Sequence, residues 1–174
     1  MYVTGSADDM GLNIMLSLTE ATVRDEARPL VPIPLRFVDG EWEDWMVSRS
    51  HELFPKFHEL ETNYLASIYA EQKEQLVAIY EKEEIEVLVA SFSGIQAESG
   101  EVTSYCVWTE GIESLLPKTD LIMIGSADES AAYEWDKVAE AVGLEPLDDL
   151  YPSRYRVGEV PTPEQLDRIG AVEL

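Results

Sequence analysis

The sequence predicts an α+β fold: a mainly antiparallel sheet of about five strands, with a long amphipathic helix and shorter helices packed on it. Two observations carry this expectation. Lys56 to Ser93 holds neither proline nor glycine, and its apolar residues recur at helical spacing. Behind it come short apolar runs, IEVLVASF, VTSYCVW and TDLIMIG, joined by connections short enough to make antiparallel neighbours. A 174-residue chain with 45% hydrophobic residues can bury a core without disulfides or metals, so one domain over 1–174 is expected.

Taken in order, LNIMLSLTEA from Leu12 is a short apolar run bounded by Gly11 and a charged stretch, which predicts a buried strand. Arg24 to Arg28 breaks it. Pro32 and Pro34 cannot donate to a central ladder, so the next strand starts near Leu35 or lies at an edge, and Asp39-Gly40 turns the chain. Between Trp42 and Lys82, Pro55 predicts two helices rather than one. The second is an amphipathic helix with Phe57, Leu60, Tyr64, Ile68, Leu76 and Ile79 at inward spacing.

IEVLVASF, rich in β-branched and aromatic residues, predicts a central strand, and VTSYCVW a second strand joined to it as a hairpin. TEGIESLLPK reads as a connecting turn and TDLIMIG as a third strand. In IMIGSADES, Ser126 and Glu129 have the spacing of a capping box for a helix over Ala131–Val142 that Gly143 ends. A strand, a glycine and a helix start also make a phosphate cradle. This segment has one glycine followed by Asp128 and Glu129, which would repel an anion. GSADD, from Gly5 to Asp9, echoes the loop, yet the ordered acids of a calcium loop are missing. Near the carboxy terminus Arg154 and Arg156 are expected to pair with the chain's own acids, and Thr162-Pro163-Glu164-Gln165 reads as a helix start.

Charge narrows the function. The net charge of −23 on 19.6 kDa repels nucleic acid and steers basic partners toward the chain. It is spread through segments that look folded: from Glu83 to Asp149 there are sixteen acids against Lys118 and Lys137. No apolar run is long enough to cross a bilayer, so no membrane role is expected. A single cysteine and the lack of a basic, apolar leader point to the cytoplasm.

No cofactor motif and no catalytic residue is assigned. His51 and His58 stand seven apart with Pro55 between them, a spacing that does not place two ligands on one helical face. Cys106, inside an apolar strand with no visible base, reads as a small buried hydrophobe. The candidate binding residues are Trp42, Glu43, Asp44 and Trp45, expected on one side of a short helix, and Trp108, Glu110 and Glu113 beside the Gly111 turn. Aromatic faces and carboxylates together attract cations, and tryptophan is common at recognition hot spots. The expected function is a small acidic protein-binding or inhibitory module that engages a basic partner, of the immunity or nucleic-acid-mimic kind. The other class is a small metal-dependent hydrolase with His51 or His58 and carboxylates converging in a pocket.

Overall fold

A computed structural model describes residues 2–25, 32–97, 100–125 and 130–173. In chain order its elements are α1 (Asp9–Asp25), β1 (Leu35–Val38), β2 (Glu41–Asp44), α2 (Phe54–Glu83), β3 (Leu88–Val89), β4 (Ser93–Gln96), β5 (Val102–Thr109), β6 (Ser114–Pro117), β7 (Leu121–Gly125), β8 (Ser130–Glu134), α3 (Trp135–Val142), β9 (Arg154–Val157) and α4 (Pro163–Ile169). The fold is α+β with a long helix, as expected. Its sheets, of two, three and four strands, are mixed rather than mainly antiparallel. The chain divides into two units, Met1–Tyr64 with Gly100–Val102, and Leu65–Ser99 with Thr103–Leu174.

In the first unit the run from Leu12 forms α1, not the expected strand. Leu12 and Leu16 are buried one turn apart, with Met15 beside them, against Val47, Leu53 and Phe57. Asp8 caps the helix: its Oδ1 accepts from the Gly11 amide at 3.1 Å, and its Oδ2 accepts from Thr4 Oγ1 at 3.0 Å. That amide bond draws the Asp8 carboxyl below its usual pKa. A Cβ at Gly11 would overlap Thr4 Oγ1 and Asp8 Oδ2, so the cap needs glycine there. Met10, Ile14 and Leu18 are exposed on the same helix. Apolar residues on both faces blur the helical period that would have separated helix from strand.

The Asp39-Gly40 turn is confirmed. Both residues have positive φ, 51° and 93°, and they join β1 to β2 as a tight antiparallel hairpin. The short helix expected around Trp42 is therefore corrected to a strand, because the turn pairs Glu41–Asp44 back onto Leu35–Val38. The expectation of two helices separated by Pro55 is corrected too. Only α2 forms, with Pro55 in its first turn, where a missing N–H interrupts no helical bond.

In the second unit the decisive strand is β6, which lies inside the stretch expected to be a connecting turn. All four of its residues are buried. Alternation sends Leu115 toward Leu76 and Val89, and Leu116 toward Cys106, Trp108, Ile122 and Trp135. A strand covered on both faces reads as a plain apolar run, and one this short resembles a turn. β6 sits centrally, pairing parallel with β3 and antiparallel with β9. The expected central strand IEVLVASF supplies instead only a two-residue edge, β3, and β4 in the other sheet begins just after it, at Ser93.

Because the chain leaves to build β6, β5 and β7 run parallel in the four-stranded sheet. This corrects the antiparallel meander. The expected helix over Ala131–Val142 begins later: Ser130–Glu134 forms β8, antiparallel to β7, and α3 follows from Trp135. Gly143 ends α3 at φ 67°, as expected. The proposed cap at Ser126 to Glu129, and the metal and phosphate readings of that loop, lie outside the described residues. The Thr162 cap is confirmed as a full capping box: Thr162 Oγ1 accepts from the Gln165 amide, and Gln165 Oε1 accepts from the Thr162 amide at 2.9 Å.

Candidate functional site

The hairpin of β1 and β2 carries most of the candidate residues. Its register sets Phe37 opposite Trp42, Leu35 opposite Asp44, Arg36 opposite Glu43 and Val38 opposite Glu41. With two-residue alternation, one face presents Leu35, Phe37, Trp42 and Asp44, and the other Arg36, Val38, Glu41 and Glu43. Every one of these residues is exposed. Phe37 and Trp42 are each 58% exposed, and their rings meet at 5.0 Å with planes tilted by 52°. The cross-strand ring pair holds the indole in place without hiding it.

Charge on the hairpin is less free than its composition suggests. Glu43 accepts from Arg36 Nε at 2.9 Å, an exposed ion pair that cancels one carboxylate. Glu41, Asp44 and Asp39 remain at the turn end and along the strand. Trp45 is separated from Trp42 by the geometry: it is half-buried and packs against the core of Leu12, Leu16 and Phe57, with its amide donating to Pro34 O at 2.9 Å. Trp42 and Trp45 thus divide the work, one facing solvent and the other anchoring the base of the hairpin.

The second candidate group is placed differently. Trp108 is 2% exposed, in the core, and its Nε1 donates to Gly158 O at 3.3 Å, so its ring presents no free face. Glu110 and Glu113 are exposed beside Gly111. Glu113 accepts from Arg156 Nε at 2.6 Å, a bond that raises the guanidinium pKa. Arg156 therefore pairs with an acid as expected, and Arg154 does not. Arg154 is 0% exposed, and it donates to Gln72 Oε1 at 2.5 Å and to the carbonyls of Ala90, Leu115 and Tyr69 at 2.8, 3.1 and 3.2 Å. Its Cζ lies 5.1 Å from the Tyr69 ring centroid, and burial lowers its pKa to about 10. A buried cation held only by neutral acceptors leaves no sequence signal, since its partners come from three separate segments: α2, the residue after β3, and β6.

The histidines form pairs. His51 Nε2 lies 3.2 Å from Asp9 Oδ1 while its Nδ1 accepts from the Leu53 amide at 3.1 Å, just before α2, and His58 Nδ1 lies 3.8 Å from Glu61. Among the described residues no three His, Cys, Asp or Glu side chains gather around one point. Cys106 is 1% exposed, and burial pushes its thiol up to about 12, so it is a core group rather than a nucleophile.

Fold and surface together define an α+β chain with an aromatic and acidic hairpin set outside its cores, and among the described residues no helix is long and apolar enough to cross a membrane. Comparison with protein-family models, with curated proteins and with solved structures finds no match.

Proposed function

We propose that the chain is a small acidic binding or inhibitory module, of the immunity or nucleic-acid-mimic kind, that engages a basic protein. The contact surface is the hairpin, with Trp42 as its aromatic anchor and Glu43 and Asp44 as the carboxylates beside it. Trp45 is the residue that fixes the hairpin to its unit, and Glu110 and Glu113 add acidic surface on the second unit. The observation that carries this reading is the exposed Phe37–Trp42 pair on a hairpin solvated on both faces. A two-stranded hairpin is marginal by itself in water, and large aromatics held out on one are suited to closing against a partner. Cationic side chains complement it twice, by stacking on the indole and by pairing with carboxylates. The net charge of −23 raises the encounter rate with any basic surface.

The test uses full-length chain, immobilised, against a library of basic proteins and Arg- or Lys-rich peptides at low and high salt. Retention that weakens with salt is expected, and Trp42→Ala should lower affinity by roughly 30-fold, the size of a 2 kcal/mol hot spot. Asp44→Asn should act mainly on the association rate. A basic ligand whose binding ignores Trp42→Ala, or the retention of no basic ligand at all, overturns the reading.

A further inference from the structure

A groove of about 590 Å³ runs along α2 in the second unit and includes no residue of the hairpin. Ala70 and Ala78 line it with small side chains on the α2 side, and Ser91 and Phe92 form the facing wall. Val77 completes an apolar floor. Phe92 stacks on Tyr69, with centroids 5.3 Å apart and planes 15° from parallel, so the wall is aromatic and fixed from behind by a buried ring.

One end of this groove differs chemically from the rest. Lys73 Nζ donates to Ser91 Oγ at 2.7 Å. The chain has 35 acids for 12 basic residues, yet among the described residues no carboxylate stands within ion-pair reach of this ammonium. The ammonium keeps further N–H donors, and a serine oxygen that accepts from it leaves its own hydroxyl hydrogen to donate. Two donors therefore face the same end. Glu74 and Glu81 line the groove as well and repel any anion, a doubly charged one more strongly, so a negative charge is held only where it contacts Lys73 and Ser91 directly.

We propose that this groove binds a small monocarboxylate with an apolar or aromatic body. The carboxylate takes hydrogen bonds from Lys73 Nζ and Ser91 Oγ, and the body lies along Val77 and the Phe92 ring. Phosphates and dicarboxylates are disfavoured by Glu74, by Glu81 and by the charge of the whole chain. The site is independent of the hairpin, and its occupant is a small molecule rather than a protein.

Calorimetric or NMR titration of the full-length chain with hydrocinnamate tests it, with octanoate as the aliphatic counterpart and hydrocinnamamide as the uncharged one. Saturable binding of either carboxylate is expected with a Kd between about 10 µM and 1 mM. The amide, and hydrocinnamate with Lys73→Gln, should each bind about tenfold more weakly, as for loss of a charge-assisted hydrogen bond. Ser91→Ala should weaken binding about threefold or more, and Lys137→Gln, whose ammonium pairs with Glu134, should change nothing. Both groove substitutions fall on the molecule's surface, and far-UV circular dichroism checks that the fold is kept. The proposal fails if neither carboxylate saturates by about 10 mM, if the amide binds equally well, or if Lys73→Gln leaves the affinity unchanged.

Discussion

Cys106 offers a direct measurement of how tightly the core of the second unit excludes water. Its thiol accepts from Thr119 Oγ1 at 3.5 Å, and burial moves its pKa from 9.0 up to about 12. The folded chain holds the thiol neutral where the unfolded chain releases its proton. The corresponding stability is whole below pH 9.0 and is lost as pH rises toward about 12, at about 1.4 kcal/mol per pH unit. From about pH 9 to about pH 11 this comes to about 3 kcal/mol. Burial also moves the Tyr69 hydroxyl from 10.0 up to about 12, which adds a loss of the same sign beginning one unit later. Arg154, lowered from 12.5 to about 10, contributes in the opposite sense: above about pH 10 the folded chain sheds a proton that the unfolded chain keeps, so stability is regained. Comparison with Cys106→Ala removes the shared background. Its small cavity lowers stability by an amount independent of pH, so only the pH-dependent part of the difference reports on the thiol. Urea unfolding of both proteins at intervals from about pH 8 to about pH 11 should show the advantage of the wild type shrinking by about 3 kcal/mol. A difference that stays constant across that range would refute the reasoning, since it would mean that the thiol is already hydrated in the folded chain.

Two more substitutions probe the frame around the groove and the central sheet. Glu84, at φ 57°, ends α2 in the left-handed region, where the Ile85 amide donates to Tyr80 O at 2.9 Å; Glu84→Gly should raise stability by about 0.5–1 kcal/mol, seen as a higher urea midpoint, and a lower one would count against the assigned cap. Arg154→Met takes a donor from Ala90 O and from Gln72 Oε1, at about 1–3 kcal/mol each, partly offset because the charge no longer has to be desolvated. A net loss of about 2 kcal/mol is expected, and unchanged unfolding would show that those acceptors find other partners.

Local chemistry made several features readable from the chain alone. Asp39-Gly40, Gly143 and the Thr162 capping box each act through residues at most four positions apart, so their outcome does not depend on the rest of the fold. The same holds for the long helix, whose apolar spacing runs over many turns with no proline or glycine after Pro55 in its first turn. The misreadings come where burial is decided by distant segments. α1 carries apolar residues on both faces, and β6 is sandwiched between two clusters, so neither shows the alternation that would reveal it. The helical setting expected for Trp42 and Trp45 failed because the turn at Asp39-Gly40 claimed the following residues as a strand, placing the two rings in different surroundings.

Composition and short-range pattern were enough to determine an α+β chain with a strongly acidic surface, a long helix and identifiable stops. Tertiary structure alone decided which aromatic residues stand free. Trp108 and Trp42 look alike in sequence, each with acids nearby, yet one is enclosed by strands brought in from far along the chain and the other stays on a hairpin whose residues are all exposed. It also decided that Arg154 is a buried pillar while Arg156, two residues on and on the same face of β9, pairs with Glu113 at the surface, since α2 and the Ala90 segment close over the first guanidinium and not the second. The groove at Lys73 belongs to the same category: it requires Ser91 and Phe92 to come back beside α2, and only the folding of the chain across β3 and β6 brings them there.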